Sequence, residues 1–419
     1  MTEPTAHPQQ TDRALALSLL TASAVRERAR EMLELCEAGR LAHWRVDRQR
    51  LPRCADYVIS VIRENYPSLD IPFHARWRHF ATGGVDRWEA LAAGAHWPDE
   101  AARARAEFDL AIVSVLLDAG AGGAWRYRLE DGTCLARSEG LAVASLDMFA
   151  KGAFSADKRD GLRADASRLA GIEATHIAQG FQAGAENPLV GLAGRAALLR
   201  ALGRKVSTAP SVFGRRDLPR PGGLFDHLSD RMIAGHAIAA SSILTAVLTH
   251  LGPIWPSRLS LGGIALGDCW RHEAVRRADA TSGLIPFHKL SQWLSYSLIE
   301  PLQRAGIEVT GIDGLTGLPE YRNGGLFIDL EVLLLEDKAE ASKPQETASP
   351  VVVEWRALTV ALLDEVAALI RAKLGLDAGM LPLAKMLEGG TWAAGRKIAR
   401  ERRIDGSPPL TILSDGTVF

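Results

Sequence analysis

Three short stretches of the chain hold the residue types best suited to chemistry. Pro286 to Tyr296 reads Pro-Phe-His-Lys-Leu-Ser-Gln-Trp-Leu-Ser-Tyr. Pro286 suits a first helical position, where its missing N–H would have no partner anyway, so the sequence predicts a helix opening there. On that helix Leu290, Trp293, Leu294, Ser297 and Leu298 form a packing stripe. Lys289, Gln292 and Tyr296 fall three and four apart on a neighbouring face. A solvated face beside a core stripe has the same spacing, so the pattern nominates these groups without assigning them a role.

The second stretch, Asp313 to Gly325, reads Asp-Gly-Leu-Thr-Gly-Leu-Pro-Glu-Tyr-Arg-Asn-Gly-Gly and feeds the apolar run Leu326 to Leu335. If Pro319 opens a helix, Glu320 lies in its first turn, where exposed N–H groups and the macrodipole favour the ionised carboxylate. An ionised Glu serves as a base or a nucleophile; an acidic residue at a helix start is also an ordinary N-terminal signal. In the third stretch His74, Arg76, Arg78 and His79 surround Trp77. Four basic side chains in six residues suit a phosphate or carboxylate clamp, or a basic surface loop stacked on Trp77. Asp268 and His272, four apart on what reads as a helix with His250 and Glu273 nearby, give the one hint of a metal-dependent hydrolase. The pair lacks an HExxH-like pattern, so neither a metal site nor a cofactor is expected.

The elements that must position these groups read as mainly helical. Apolar residues recur at three-and-four spacing over Ala14 to Arg40, Asp56 to Asn65, Ala101 to Leu117, Ala164 to Gln182, Leu192 to Leu202 and Leu358 to Leu374. Val351 to Trp355 reads as a short strand or a helix lead-in. Ala124 to Leu129, followed by Asp131-Gly132, alternates and is aromatic, the best strand signal in the chain. Met232 to Trp255 is the most apolar stretch, but His236, Ser241, Ser242, Thr245, Thr249 and His250 interrupt it, so it reads as a buried helix and not a membrane span. The expected organisation is a disordered tail over 1–12, an N-terminal helical region over 13–130 and a helical domain over 131–419. Within that domain 336–350 is expected to be a mobile loop.

The 419 residues, 47% of them hydrophobic, suffice for one large domain or two. Forty-nine basic residues against 50 acidic ones leave a net charge of -1, so no global field draws the protein to nucleic acid or an acidic membrane. A small, locally recognised ligand is the expected partner. Cys36, Cys54, Cys134 and Cys269 are far apart, as reduced thiols are, and Met1 to Gln10 lacks signal-peptide character, so a cytoplasmic location is expected.

His74-Ala-Arg-Trp-Arg-His-Phe80, Arg137-Ser-Glu-Gly140, Asn187-Pro-Leu189, Phe287-His-Lys-Leu-Ser-Gln292 and Gly314 to Gly325 together resemble the hallmarks of a family linked to uracil catabolism. That resemblance runs from about Arg13 to the end. A more distant one covers roughly the C-terminal two thirds. Phe287-x-Lys289-x-x-Gln292, Glu320-Tyr-Arg322, Glu354-x-Arg356-Ala357 and Trp392 with Arg396 are similar to blocks of queuosine 5′-phosphate N-glycohydrolases. This second resemblance implies a DNA-glycosylase-like, mainly α architecture with few short strands. Glu320 stands where that family has an aspartate; the extra methylene holds the carboxylate elsewhere.

Together the resemblances imply hydrolysis of the N-glycosidic bond of a ribosylurea, expected to be phosphorylated at the 5′ position, to urea and a ribose species. The transition state is oxocarbenium-like and needs a negative group near the anomeric carbon and an activated water, both within reach of Glu320. Urea nitrogen leaves poorly as an anion; Lys289, His288 and Tyr296 are the candidate proton donors, a contribution of roughly 10²- to 10⁴-fold. Lys289 equally suits holding the sugar or phosphate, and Arg322 suits binding substrate or restraining Glu320. Gln292, Arg322, His74, Arg76, Arg78, His79, Phe287, Glu354, Arg356 and Trp392 are the expected substrate-binding residues. Other uracil-catabolism enzymes are conceivable partners. Rival readings are a metal-dependent amidohydrolase acting on a ring-opened pyrimidine and a non-catalytic nucleoside or nucleotide binder.

Overall fold

The computed structural model describes residues 8–413 except 119, 158, 215, 217, 234, 256 and 257. The expected mainly helical class holds, and every strand pair among the described residues is two or three residues long. The chain divides into two compact units. The first draws on residues 8–74, 258–292 and 311–413. The second holds Ala75–Trp255 and Trp293–Thr310.

In the first unit the axis is a 25-residue helix, Pro350–Leu374, opened by Ser349, whose side chain accepts the Val352 N–H, and closed by Gly375 at φ 67°. It is buried without interruption from Val351 to Leu363, because neighbours cover every face. It packs against Ala22–Glu37, Leu51–Asn65 and Tyr321–Asp329. Trp44 stacks on Trp355 at 6.5 Å, and its indole donates to the Val351 carbonyl at 2.9 Å. Trp44–Val46 pairs antiparallel with Leu333–Leu335, and Cys269–Arg271 antiparallel with Leu284–Pro286.

The second unit is built on Glu100–Leu116 and Arg137–Ala150, with the short helix Arg76–Phe80 packed on both. Leu192–Ser207 lies against Ala166–Ala170 so closely that a Cβ on Gly203 would collide with the Ala170 amide and the Ala166 carbonyl. Asp109, fully buried, accepts from Arg220 at 2.5 and 2.8 Å and from the backbone N–H of Ala164 and Gly222, closing a long loop onto the core.

Several local expectations are corrected. Pro286 ends a strand, and the helix begins at Lys289 and runs to Arg304. The stretch read as one helix over Ala14 to Arg40 is two, Pro8–Leu19 and Ala22–Glu37, with Thr21 capping the second; of the expected tail, residues 1–7 lie outside the described ones. Asp268 to His272 is a strand and its approach, not a helix. Ala164 to Gln182 holds two short helices, Ala166–Ala170 and Ala174–Gly180. Met232 to Trp255 holds a strand, Ala237–Ala239, and an 11-residue helix, Ala240–His250. No helix among the described residues is long and apolar enough to cross a membrane.

Candidate functional site

Glu320 is the N-cap of the helix Tyr321–Asp329, with extended backbone at φ -120° and ψ 165°. Its two carboxylate oxygens accept the N–H groups of Arg322 at 2.8 Å and Asn323 at 2.5 Å. Pro319 precedes this helix and does not open it. Glycines let the helix start lie deep in the unit. A Cβ on Gly324 would come within 2.7 Å of the Trp355 indole, and one on Gly395 would strike the Arg322 carbonyl. Glu320 is 7% exposed. Burial pushes its carboxyl above the usual range; the two backbone N–H groups, Lys289 and His74 pull it back. A carboxylate has about four lone-pair sites, so both oxygens keep accepting capacity after capping. Asn323, also fully buried, leaves Oδ1 without a partner beside it.

The start of the Lys289 helix is fixed from a distant segment. Phe287 and His288 donate their N–H groups to the Asp268 carbonyl, His288 adopts φ 50°, and the Lys289 N–H reaches the Asp268 carboxylate at 3.0 Å. Asp268 therefore caps the helix start, which the sequence reading places at Pro286. Arg356 grips the same carboxylate with two bonds of 2.8 Å, lies over the Phe287 ring at 4.2 Å, and donates through Nε to the Pro319 carbonyl at 3.4 Å. Burial would raise the Asp268 carboxyl, but the Arg356 guanidinium, the Trp270 indole N–H and the Lys289 N–H hold it down at about 2. One buried ion pair thus supports both the lysine and, through Pro319, the glutamate.

Gln292, fully buried, adds a second tie. Its amide donates to the Phe287 carbonyl at 3.1 Å and the Thr316 hydroxyl at 2.5 Å, and accepts the Thr316 N–H at 2.8 Å. It clamps the helix start to the loop that delivers Glu320. His74 is fixed by Glu388, whose carboxylate lies 2.7 Å from Nδ1, and by Trp392, whose ring lies 5.4 Å away. Arg396 in turn covers Trp392 at 4.7 Å.

Other nominated residues are engaged inside the fold. His288 is 1% exposed and its Nε2 bonds the Leu19 carbonyl at 2.9 Å; burial lowers its pKa. Glu354 accepts from His272 at 3.1 Å and from the His43 N–H at 3.3 Å. Arg322 donates to the Gly406 carbonyl at 2.8 Å. Tyr296, Arg76, Arg78 and His79 belong to the second unit. There Arg76 is fully buried, bonding Ser114 and Asp118 at 2.7 Å, and burial lowers its pKa despite Asp118. Arg78 pairs with Glu300 at 2.9 Å, and His79 meets the Trp293 ring edge-on at 5.7 Å. Tyr296 is fully buried. For the metal reading, Asp268 is engaged by Arg356 and His272 by Glu354, and among the described residues no group of three or more His, Cys, Asp or Glu is placed to hold an ion.

Asp268 as a cap, Thr316, Glu388 and Asn323 are contributors the sequence reading missed as such. Asp268 carried a signal, four residues before His272, but its partner Arg356 is 88 positions away. Glu388 is 314 positions from His74. No local spacing announces such pairs.

The chain is similar over most of its length to two yeast proteins. It is 37% identical over 433 residues to "Uracil catabolism protein 4" of Lachancea kluyveri, covering 95% of this chain and 97% of that one. It is 39% identical over 412 residues to "Protein urg3" of Schizosaccharomyces pombe, covering 96% and 98%. A family model described as "Protein of unknown function (DUF1688)" matches residues 18–419. With nearly the whole length matched, the chain belongs to the DUF1688 family.

Proposed function

We propose that this protein hydrolyses the N-glycosidic bond of a 5′-phosphorylated ribosylurea formed during uracil breakdown, giving urea and ribose 5-phosphate. The name of the Lachancea relative supports the pathway. The single observation that carries the chemistry is the buried Glu320 carboxylate, fixed by two backbone N–H groups and under the charge of Lys289 and His74. A base works best with a pKa near the working pH, and burial moves Glu320 in that direction. In this reading Glu320 takes a proton from water as the water oxygen bonds to the anomeric carbon. The C–N bond breaks, and its electron pair and a proton from Lys289 go to the urea nitrogen. One water is consumed for each urea released. The C–N bond breaks ahead of full water attack, and the carboxylate, still negative until it takes the water proton, stabilises the oxocarbenium character that develops.

The test is to incubate purified protein with ribosylurea and with its 5′-phosphate, measuring urea and reducing sugar. Turnover of at least one compound is expected, with the phosphate preferred, and Glu320→Gln should reduce it by about 10²- to 10⁴-fold. No release from either compound, or a Glu320→Gln variant as active as wild type, defeats the mechanism.

A further inference from the structure

We propose that the second unit carries a binding site for a small phosphate monoester, formed by Lys151, Arg168 and His176. None of its residues belongs to the Glu320 assembly, and the site is independent of the function proposed above.

These three side chains line one cavity of about 390 Å³. They reach it from three elements. Lys151 caps the C-terminus of Arg137–Ala150, Arg168 lies on Ala166–Ala170 and His176 on Ala174–Gly180. Among the described residues no carboxylate pairs with Lys151 or Arg168, although Arg163 and Arg220 of the same unit are matched to acids. Arg168 donates Nε to the Ala153 carbonyl at 3.0 Å, which aims the guanidinium and leaves its two terminal amino groups as a fork. His176 accepts the Glu173 N–H on Nδ1 at 3.1 Å, so its ring N–H sits on Nε2 as a further donor. The one carboxylate lining the cavity, Asp147, accepts the Tyr127 phenol at 2.6 Å.

The inventory is two full positive charges, one imidazole donor and one carboxylate already held by a hydroxyl. A phosphate monoester carries about -1.5 to -2 charge near neutral pH, which the two cations attract, and presents three acceptor oxygens for the three donor groups. A monocarboxylate offers only two oxygens to the three donor groups. The volume falls in the ordinary range for small-molecule sites, roughly 300 to 1,000 Å³, leaving room for the ester's body. That body would rest on Met148 and Ile172, with the Gln179 amide available to hydroxyl groups. A lysine at a helix C-terminus is also stabilised by the macrodipole, but that account leaves Arg168 and His176 on the same cavity unexplained.

The test follows the His176 imidazole resonance in the full-length protein, assigned by its loss in His176→Gln, during titration with ribose 5-phosphate, inorganic phosphate and ribose. Because the readout is local, binding elsewhere in the chain does not enter it. The resonance should move saturably with ribose 5-phosphate and not with ribose. Lys151 is exposed, so Lys151→Glu should keep the fold, checked by the unchanged remaining histidine signals, and raise the half-saturating concentration at least tenfold. No movement at millimolar ribose 5-phosphate, or an unchanged titration in Lys151→Glu, overturns the site. Equal half-saturation by inorganic phosphate overturns the ester assignment.

Discussion

A carboxylate that caps a helix from a buried position is pulled two ways: desolvation favours its proton, and the N–H groups it accepts favour its charge. For Glu320 burial wins, so its carboxyl lies above the ordinary 4.5. Folding then favours the protonated form; this group's contribution to stability is fully present below 4.5 and is lost as pH rises through the raised value. Catalysis needs the opposite form. The acid limb of kcat/KM against pH should therefore bend above 4.5, and Glu320→Gln should reduce turnover by about 10²- to 10⁴-fold while removing that limb. A limb at the ordinary glutamate value would show that Glu320 is not the titrating base. Asp268 has the reverse sign. Its carboxyl is lowered from 3.8 to about 2, so its contribution is present above 3.8 and is lost as pH falls through about 2. Asp268→Asn leaves Arg356, 1% exposed, without its charge partner and should destabilise the protein by about 3 kcal/mol in urea unfolding at neutral pH. The gap between wild type and variant should narrow between pH 3.8 and pH 2.

Among the elements, the helix Tyr321–Asp329 places the glutamate, and glycines place the helix. Gly395 on Trp392–Arg402 faces the Arg322 carbonyl with no room for a Cβ. Gly395→Ala must push the two helices apart, and overpacking of this kind costs about 1–3 kcal/mol. Because the displaced turn is the one that Glu320 caps, turnover should fall together with Tm. Thermal unfolding and urea release measured on one preparation check this, and a loss of Tm with full activity would separate the helix position from the site. The sequence marked the elements at this scale well where helical periodicity was long. Leu51–Asn65, Glu100–Leu116 and Leu192–Ser207 lie where apolar spacing predicted them. It erred where a distant partner set the boundary. Pro286 suited a first helical position, but the N–H groups after it are satisfied by Asp268, and the helix waits until Lys289.

For the molecule as a whole, the balance of charge is the controlling quantity. A net charge of -1 supplies no counterion-release drive toward duplex DNA. Fluorescence anisotropy with labelled duplex at low ionic strength should register no binding at micromolar protein, and salt-dependent binding would contradict it. Two compact units, each assembled from segments far apart in sequence, also explain why the nominated residues separate. His74 falls with Glu320 and Lys289, while Arg76, two residues on, is locked in the second unit by Ser114 and Asp118.

Composition and periodicity alone determined the mainly helical class, and long distinctive blocks alone determined the family, since both are recorded in the order of residues along the chain. Which acids and bases share an environment was decided only by folding. Asp268 with Arg356, Glu388 with His74 and Gln292 with Thr316 are joined by bonds between segments 24 to 314 positions apart. Their strength comes from burial, which no local spacing encodes. The same holds for Lys151, Arg168 and His176, unremarkable in sequence and gathered around one cavity by three separate helices.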